Sequence, residues 1–357
     1  MYFLIGRDNM EIGSDFWECT DPLNSNNEAF WNIGKDRRFT LSGRTAIYYC
    51  LKNIICKRKI MKAYVPSYCC DSMIEPFLEF GIEIEYYKVY FDGGLKYDIE
   101  IREDVDLFLA MNYFGYSSTN MEQYIKKYKE QGTIVLEDIT HSMFSTKRYS
   151  ENSDYLIGSL RKWMPVLSGG IAISMNSNFE LDLNTNSNEK MIENRNIAMK
   201  RKRQYLLDGS EELKEKFLKE YKDSNMLLGE DYKDYSIDEK SFQIIQGIDI
   251  TQIKSRRIEN AMTIYDKLDG KVDFLIDDYN GEDALLAVPI VVDNAKRDAL
   301  RNYLKDKNVY LPVHWPLSDN RNNIFERELS LVCDQRYDEK QIAEYIDYIV
   351  DFINNTK

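Results

Sequence analysis

The chain has 357 residues, of which 43% are hydrophobic and 30% charged. This is the composition of a globular protein with room for one large domain and a smaller one, and it excludes fibrous, low-complexity and peptide-sized classes. Lys+Arg 47 against Asp+Glu 60 leaves a net charge of -13, which repels a phosphate backbone at long range and argues against nucleic acid as a partner.

Six cysteines, Cys19, Cys50, Cys56, Cys69, Cys70 and Cys333, show neither metal-ligand spacing nor a small disulfide framework. No metal is therefore expected, and the compartment is read as reducing and cytoplasmic. The opening run Met1 to Asp8 has too short an apolar core for a signal peptide, and no segment approaches membrane-spanning length.

In chain order, Phe39 to Leu51 reads as a turn entering a helix: Ser42 suits an N-cap, and Ala46, Ile47, Cys50 and Leu51 recur at helical spacing. Lys62 to Pro66 is a short strand stopped by proline, and a helical stretch then runs to Phe80, with Gly81 in the position after its cap. Pro76 inside that stretch predicts a kink or a late start. Ile82 to Tyr87 alternates as a half-buried strand. Leu107-Phe108-Leu109-Ala110-Met111 is apolar throughout, as in a strand covered on both faces, and Asn112-Tyr113-Phe114-Gly115 is its exit loop. A polar helical segment from Met121 to Gln131 leads to the buried strand Thr133 to Leu136, which delivers Glu137 and Asp138. This strand-helix-strand rhythm puts Asp138 at the carboxyl end of a parallel strand, the edge where open α/β sheets bind ligands.

The stretch from Ser153 to Ser174 has an apolar run ending in Ser159, then Lys162, then a Gly169-Gly170 pair opening a second apolar run. A lysine held by strand and turn backbone and partly stripped of water is a candidate nucleophile toward a carbonyl. Residues 187 to 270 are charged and helix-prone, with an apolar stripe through Ile253, Ile258, Met262, Ile264 and Tyr265. Beyond them lies a compact α/β unit: a strand over Ala284 to Val292, a helix from Asn294 to Lys307, a strand over Val309 to Trp315 and a closing helix from Gln341 to Asn354. A domain boundary is expected near 250 to 275.

Pyridoxal phosphate (PLP) is the carbonyl such a lysine most often meets, and its needs match three separated features. Its phosphate wants helix-start N–H groups, which Gly43, Arg44 and Thr45 offer, with the hydroxyl of Ser159. Its ring nitrogen must stay protonated, and Asp138 could supply the facing charge. Singly, each residue also has an ordinary structural role: Ser42 as a cap, Ser159 as a turn hydroxyl, Asp138 as a helix N-cap.

The segments Ser42-Gly43-Arg44-Thr45-Ala46-Ile47, Val65-Pro66-Ser67-Tyr68, Asn112-Tyr113-Phe114-Gly115, Glu137-Asp138-Ile139-Thr140-His141-Ser142, Gly158-Ser159-Leu160-Arg161-Lys162-Trp163 and Ser255 to Ala261 together resemble the motif series of the DegT/DnrJ/EryC1/StrS sugar aminotransferases. The resemblance covers nearly the whole chain and implies fold type I of the PLP enzymes, an α/β architecture. A large domain, 1–255, would hold a mostly parallel seven-stranded sheet flanked by helices, and a small carboxy-terminal α/β domain would span 256–357. It implies a Schiff base on Lys162, which then serves as base and acid of the proton shift. It implies that Asp138 pairs with the ring nitrogen and His141 lies near the phenolic oxygen, with Gly43, Arg44, Thr45 and Ser159 at the phosphate.

His314-Trp315-Pro316 resembles the family's His-Tyr-Pro segment, with His314 as a substrate contact. The family's ring-stacking aromatic is Cys70 here, so either Tyr68 would stack instead or the cofactor's face would be less covered. Asn112 replaces a usual histidine, and no clear counterpart exists for the neighbouring-subunit Asn-Tyr-Arg element. The implied activity takes an amino group from an amino acid, by resemblance L-glutamate, to a keto-sugar, nucleotide-linked, in glycan biosynthesis, by a homodimer without membrane or nucleic-acid partners. The alternatives are a fold type I enzyme for a smaller aldehyde or keto acid, and a non-catalytic PLP-binding regulatory protein.

Overall fold

A computed structural model describes residues 11–315 and 323–356. Met1 to Asp8 and Pro316 lie outside the described residues. In chain order the elements are β1 (Ile12–Gly13), α1 (Glu28–Trp31), β2 (Asp36–Thr40), α2 (Gly43–Lys57), β3 (Lys62–Pro66), α3 (Asp71–Glu79), β4 (Glu83–Phe91) and β5 (Leu95–Asp98). There follow β6 (Leu107–Met111), α4 (Glu122–Glu130), β7 (Ile134–Asp138), β8 (Tyr155–Ser159), β9 (Gly170–Ser174), α5 (Glu189–Asp208), α6 (Glu211–Glu230) and α7 (Glu239–Gly247). The last elements are α8 (Ile250–Leu268), β10 (Asp273–Phe274), β11 (Val288–Val291), α9 (Asn294–Lys305), β12 (Val309–Tyr310), β13 (Glu328–Leu331) and α10 (Glu339–Asn355).

The chain divides into two compact units, each assembled from separated stretches. The first comprises Asp15–Ile60 and Asp154–Ile250; the second comprises Glu11–Ser14, Met61–Ser153 and the residues from Thr251 onward.

In the first unit β9 lies between β2 and β8 and runs antiparallel to both, pairing Thr40 with Gly170 and Ser159 with Gly170. Every residue of β9 is buried. The Ser42 backbone cannot come this close to β9 without Gly170: a Cβ there would lie 2.1 Å from the carbonyl oxygen of Ser42. Helices α5 and α6 form a hairpin turned at Gly209, whose φ of 72° caps α5 in the left-handed region. Leu41, Met191, Leu228 and Tyr232 form one buried apolar cluster of this unit.

In the second unit β3 pairs in parallel with β4 and β6, and β6 pairs in parallel with β7. The antiparallel strand β5 closes the β4 edge through an Asp92-Gly93-Gly94 turn. β6 is buried at all five residues, as its unbroken apolar run requires. α3 is continuous from Asp71 through Pro76 and does not begin late. It ends in a Schellman pair, in which Gly81 N–H donates to Leu78 O and Ile82 N–H to Phe77 O; Gly81 has a φ of 67°. A second sheet has the order β10-β11-β13, antiparallel throughout.

The strand expected over Ala284 to Val292 shortens to β11, because the backbone before it has other partners. Leu286 N–H donates to Phe114 O, and Arg257 donates to Leu285 O and Leu286 O. The strand expected over Val309 to Trp315 shortens to β12. Pro312 has no N–H to give a ladder, and His314 N–H donates to Glu328 Oε2 at 2.6 Å.

Candidate active site

The expected site residues fall into two groups, one in each unit. In the first unit Ser42 caps α2: its Oγ accepts from Thr45 N–H at 3.2 Å, and the Thr45 hydroxyl donates to Tyr232 O at 2.8 Å. Thr45 therefore braces the first turn. A Cβ at Gly43 would stand 3.0 Å from Ser159 Cβ. The start of α2 thus abuts the carboxyl end of β8, and the missing side chain leaves a cradle beside two backbone amides and a hydroxyl. The half-buried Arg44 guanidinium lies over the Tyr232 ring at 5.1 Å.

Lys162 ends the 3-10 turn Leu160–Lys162 that follows Ser159, and it is half-buried. The loop carrying it is pinned at several points. Leu160 N–H donates to Gly169 O at 3.1 Å, Gly169 N–H to Leu41 O at 2.7 Å, and Leu167 and Ser168 N–H to Ser241 Oγ at 2.9 and 3.1 Å. Trp163 is fully buried, and its N–H closes the turn on Leu160 O at 3.0 Å. A lysine on so constrained a loop has few orientations to lose when it reacts.

In the second unit Asp138 ends β7, 3% exposed, and its Oδ1 accepts from Thr140 N–H at 2.7 Å. His141 is wholly buried and its Nδ1 lies 3.0 Å from Phe114 N–H. A backbone N–H can only donate, so Nδ1 accepts and the neutral ring carries its proton on Nε2. The Trp315 ring stacks over His141 at 5.6 Å and 25°. Tyr68 is likewise buried, 4.7 Å from the Trp315 ring and stacked with Tyr113 at 5.4 Å. The Tyr68 hydroxyl has no hydrogen-bond partner among the described residues, and such a group costs stability unless a ligand's polar atom meets it. His314 is half-buried; Ser330 Oγ donates to Glu328 and so accepts from His314 Nδ1 at 2.9 Å.

Cys70 stands half-buried with Sγ 3.1 Å from Ser72 Oγ, and the buried Cys69 Sγ faces Pro66 O at 3.2 Å; all six cysteines are free thiols. Asn112 donates to Glu137 Oε1 at 3.1 Å and to Ser142 Oγ at 3.3 Å. The Ser255 to Ala261 motif works as a clamp. Arg257, 1% exposed, reaches Gln335, Leu285 and Leu286, and Asn260 Nδ2 donates to the carbonyls of Cys333, Asp334 and Tyr337.

Four residues of chemical interest were not singled out by sequence reasoning. Trp315 and Glu137 sit next to His314 and Asp138 inside quoted motifs, and Arg161 precedes Lys162. Arg195 has no sequence signal beyond a charged helix. Burial pushes the Glu137 carboxyl up to about 7, against hydrogen bonds from Ser153, Ser150 and Asn112 that pull it down. Among the described residues no group of three or more His, Cys, Asp or Glu is placed to hold a metal ion, and no helix is long and apolar enough to cross a membrane.

The fold is that of the aminotransferases whose structures it matches along almost its whole length. PseC of Helicobacter pylori, an aminotransferase involved in the biosynthesis of pseudoaminic acid, is 13% identical with a TM-score of 0.64, covering 97% of this chain and 100% of PseC. DesV of S. venezuelae, solved with a ketimine intermediate, is 14% identical with a TM-score of 0.63, covering 92% of this chain and 87% of DesV. The aminotransferase TlmJ of Streptoalloteichus hindustanus is 13% identical with a TM-score of 0.62, covering 89% of this chain and 86% of TlmJ. No family model matches the sequence, and no curated protein does.

Proposed function

We propose that this chain is a PLP-dependent aminotransferase of the DegT/DnrJ/EryC1/StrS kind, moving an amino group from L-glutamate to a nucleotide-linked keto-sugar. One observation carries the reading: on an aminotransferase fold, the glycine cradle at Gly43 meets Ser159 three residues before a lysine on a pinned loop.

Bound PLP supplies an electron-withdrawing ring that accommodates the charge developed when a proton leaves the donor's α-carbon. The residues of the chain do the rest. Gly43, Arg44 and Ser159 hold the phosphate, with Thr45 keeping the turn in shape. Asp138 supplies the negative charge that keeps the ring nitrogen protonated, and His141 offers Nε2–H to the phenolic oxygen. Lys162 takes the proton from one carbon and returns it to another. Tyr68 is the residue offered to cover the coenzyme ring, and His314, its Nδ1–H committed to Ser330, is the offered contact for the acceptor. The six free thiols fit a reducing, cytoplasmic setting, and a homodimer is the expected assembly.

The test follows the coenzyme's absorbance. Purified protein given PLP should show a band that borohydride abolishes and that Lys162→Ala lacks. Glutamate should convert the band, and a panel of nucleotide-linked keto-sugars should restore it. No band in the wild type rejects the reading. A band that glutamate leaves untouched favours a binding protein, and turnover only with small aldehydes or keto acids favours the smaller-carbonyl enzyme.

A further inference from the structure

Beside the start of α2, the first unit holds a second concentration of positive charge that none of the roles above uses. Asn225 Oδ1 accepts from two guanidinium groups at once, Arg161 Nη2 and Arg195 Nη1, each at 3.3 Å. Both Nε groups, of Arg161 and of Arg195, are buried without a hydrogen-bond partner among the described residues. Arg195 is 4% exposed. The carboxylate seen there is Asp15, 3.3 Å from Arg195 Nη2 and itself 41% exposed. Tyr221 contributes its ring face under Arg195 at 5.4 Å.

The hydrogen bonds that hold these two cations are long, the one carboxylate bonds Arg195 and not Arg161, and each arginine leaves a buried donor unmet among the described residues. Two like charges share one neutral amide oxygen, in a protein whose net charge is -13. Burial, and then the charge of Arg195, push Arg161 down to about 9, with Arg44 adding to the effect and Asp15 opposing it. Ordinary structural arginines pair off their donors with carboxylates or carbonyls, and a pair left this positive is matched to an incoming dianion. A phosphoryl group has the charge to neutralise both cations and the oxygens to meet both Nε donors; a carboxylate has half that charge.

We propose that Arg161 and Arg195, oriented by Asn225, form a set of phosphoryl-binding donors beyond those of the Gly43-Ser159 cradle. The proposal rests on the aminotransferase reading for the source of the anion, either the coenzyme's phosphate or the diphosphate of a nucleotide-linked acceptor. Its chemistry stands without that reading, since inorganic phosphate can probe it.

The experiment titrates the full-length wild type, Arg161→Gln, Arg195→Gln and Arg195→Lys with inorganic phosphate, with PLP and with uridine diphosphate, by calorimetry at constant ionic strength. Circular dichroism confirms folding. Either glutamine variant should weaken at least one of these ligands by roughly tenfold to a hundredfold, the loss of a charge-assisted hydrogen bond in a buried setting. Arg195→Lys should recover part of the loss. A deficit confined to PLP assigns the site to the coenzyme, and one confined to uridine diphosphate assigns it to the acceptor. Unchanged affinity for all three ligands in a folded Arg161→Gln or Arg195→Gln protein overturns the proposal, as does a wild type that binds none of them. If Arg195→Gln does not fold, Arg161→Gln alone decides. A wild type that binds phosphate through these arginines but forms no lysine-dependent band would keep this site while rejecting the aminotransferase.

Discussion

Replacing Glu137 with Gln should remove a pH dependence built into the end of β7. The carboxyl is 1% exposed, and its Oε2 accepts from Ser153 Oγ at 2.6 Å and Ser150 N–H at 2.9 Å, while Oε1 accepts from Asn112. These bonds favour the anion, but burial outweighs them and raises the group from its ordinary 4.5 to about 7. Between those values the folded protein holds a proton that the unfolded chain releases. The contribution of this group to stability is therefore complete below about pH 4.5, falls as pH rises, and is spent above about pH 7. The fall amounts to about 3 kcal/mol. A glutamine keeps the two contacts at one oxygen and turns an NH₂ toward Asn112. Asn112 can answer by rotating its amide, because its Oδ1 is buried and without a partner. The assay is urea unfolding of wild type and Glu137→Gln in half-unit steps from pH 4.5 to 7.5, read as the difference between the two proteins so that shared titrations cancel. The variant should gain about 3 kcal/mol on the wild type across that range. Parallel stability curves would refute the reasoning, since they would mean that Glu137 titrates alike in the folded and unfolded chain.

Three further outcomes are expected. Gly170→Ala forces a Cβ to within 2.1 Å of Ser42 O and 2.5 Å of Thr40 Oγ1, so it should cost about 3 kcal/mol or more, seen as a large drop in thermal midpoint; a change below ~1 kcal/mol contradicts the packing. Asn260→Ala leaves the carbonyls of Cys333, Asp334 and Tyr337 without their shared donor and should lose about 2 kcal/mol, with faster amide exchange in residues 333 to 337 as the local readout. Tyr68→Phe deletes a buried hydroxyl that has no partner, so the coenzyme-free protein should gain about 1 kcal/mol. A loss of stability in that variant would show that the hydroxyl is satisfied.

What could be read from the sequence was whatever burial writes into it. The unbroken apolar run of β6 and the helical spacing of α2 and α10 declare themselves because one residue after another meets the core. Gly81 was legible because its backbone conformation excludes side chains. The β4-β5 hairpin went unread although Asp92-Gly93-Gly94 is a turn signal, because Lys88 to Phe91 has too mixed a pattern to announce its second half. β11 and β12 were overdrawn for a different reason: apolar composition marks burial, but only the partners of Leu285, Leu286 and Pro312, distant in sequence, decide whether their backbone joins a ladder. Ser159 and Lys162 were found because they are near neighbours on a strand and its turn. Arg195 was not, because its meeting with Arg161 depends on how the α5-α6 hairpin folds back.

The interleaving of the two units has a consequence for synthesis. Residues 15–60 leave the ribosome well before the strands β8 and β9 that complete their sheet, and residues 61–153 wait still longer for the stretch after 250. Neither half can close its own core until most of the polypeptide has been made. Nascent chains stalled short of residue 250 should be cut readily by protease, and those stalled beyond it should show a first resistant fragment, so maturation is governed by chain length emerged and not by the order of the elements.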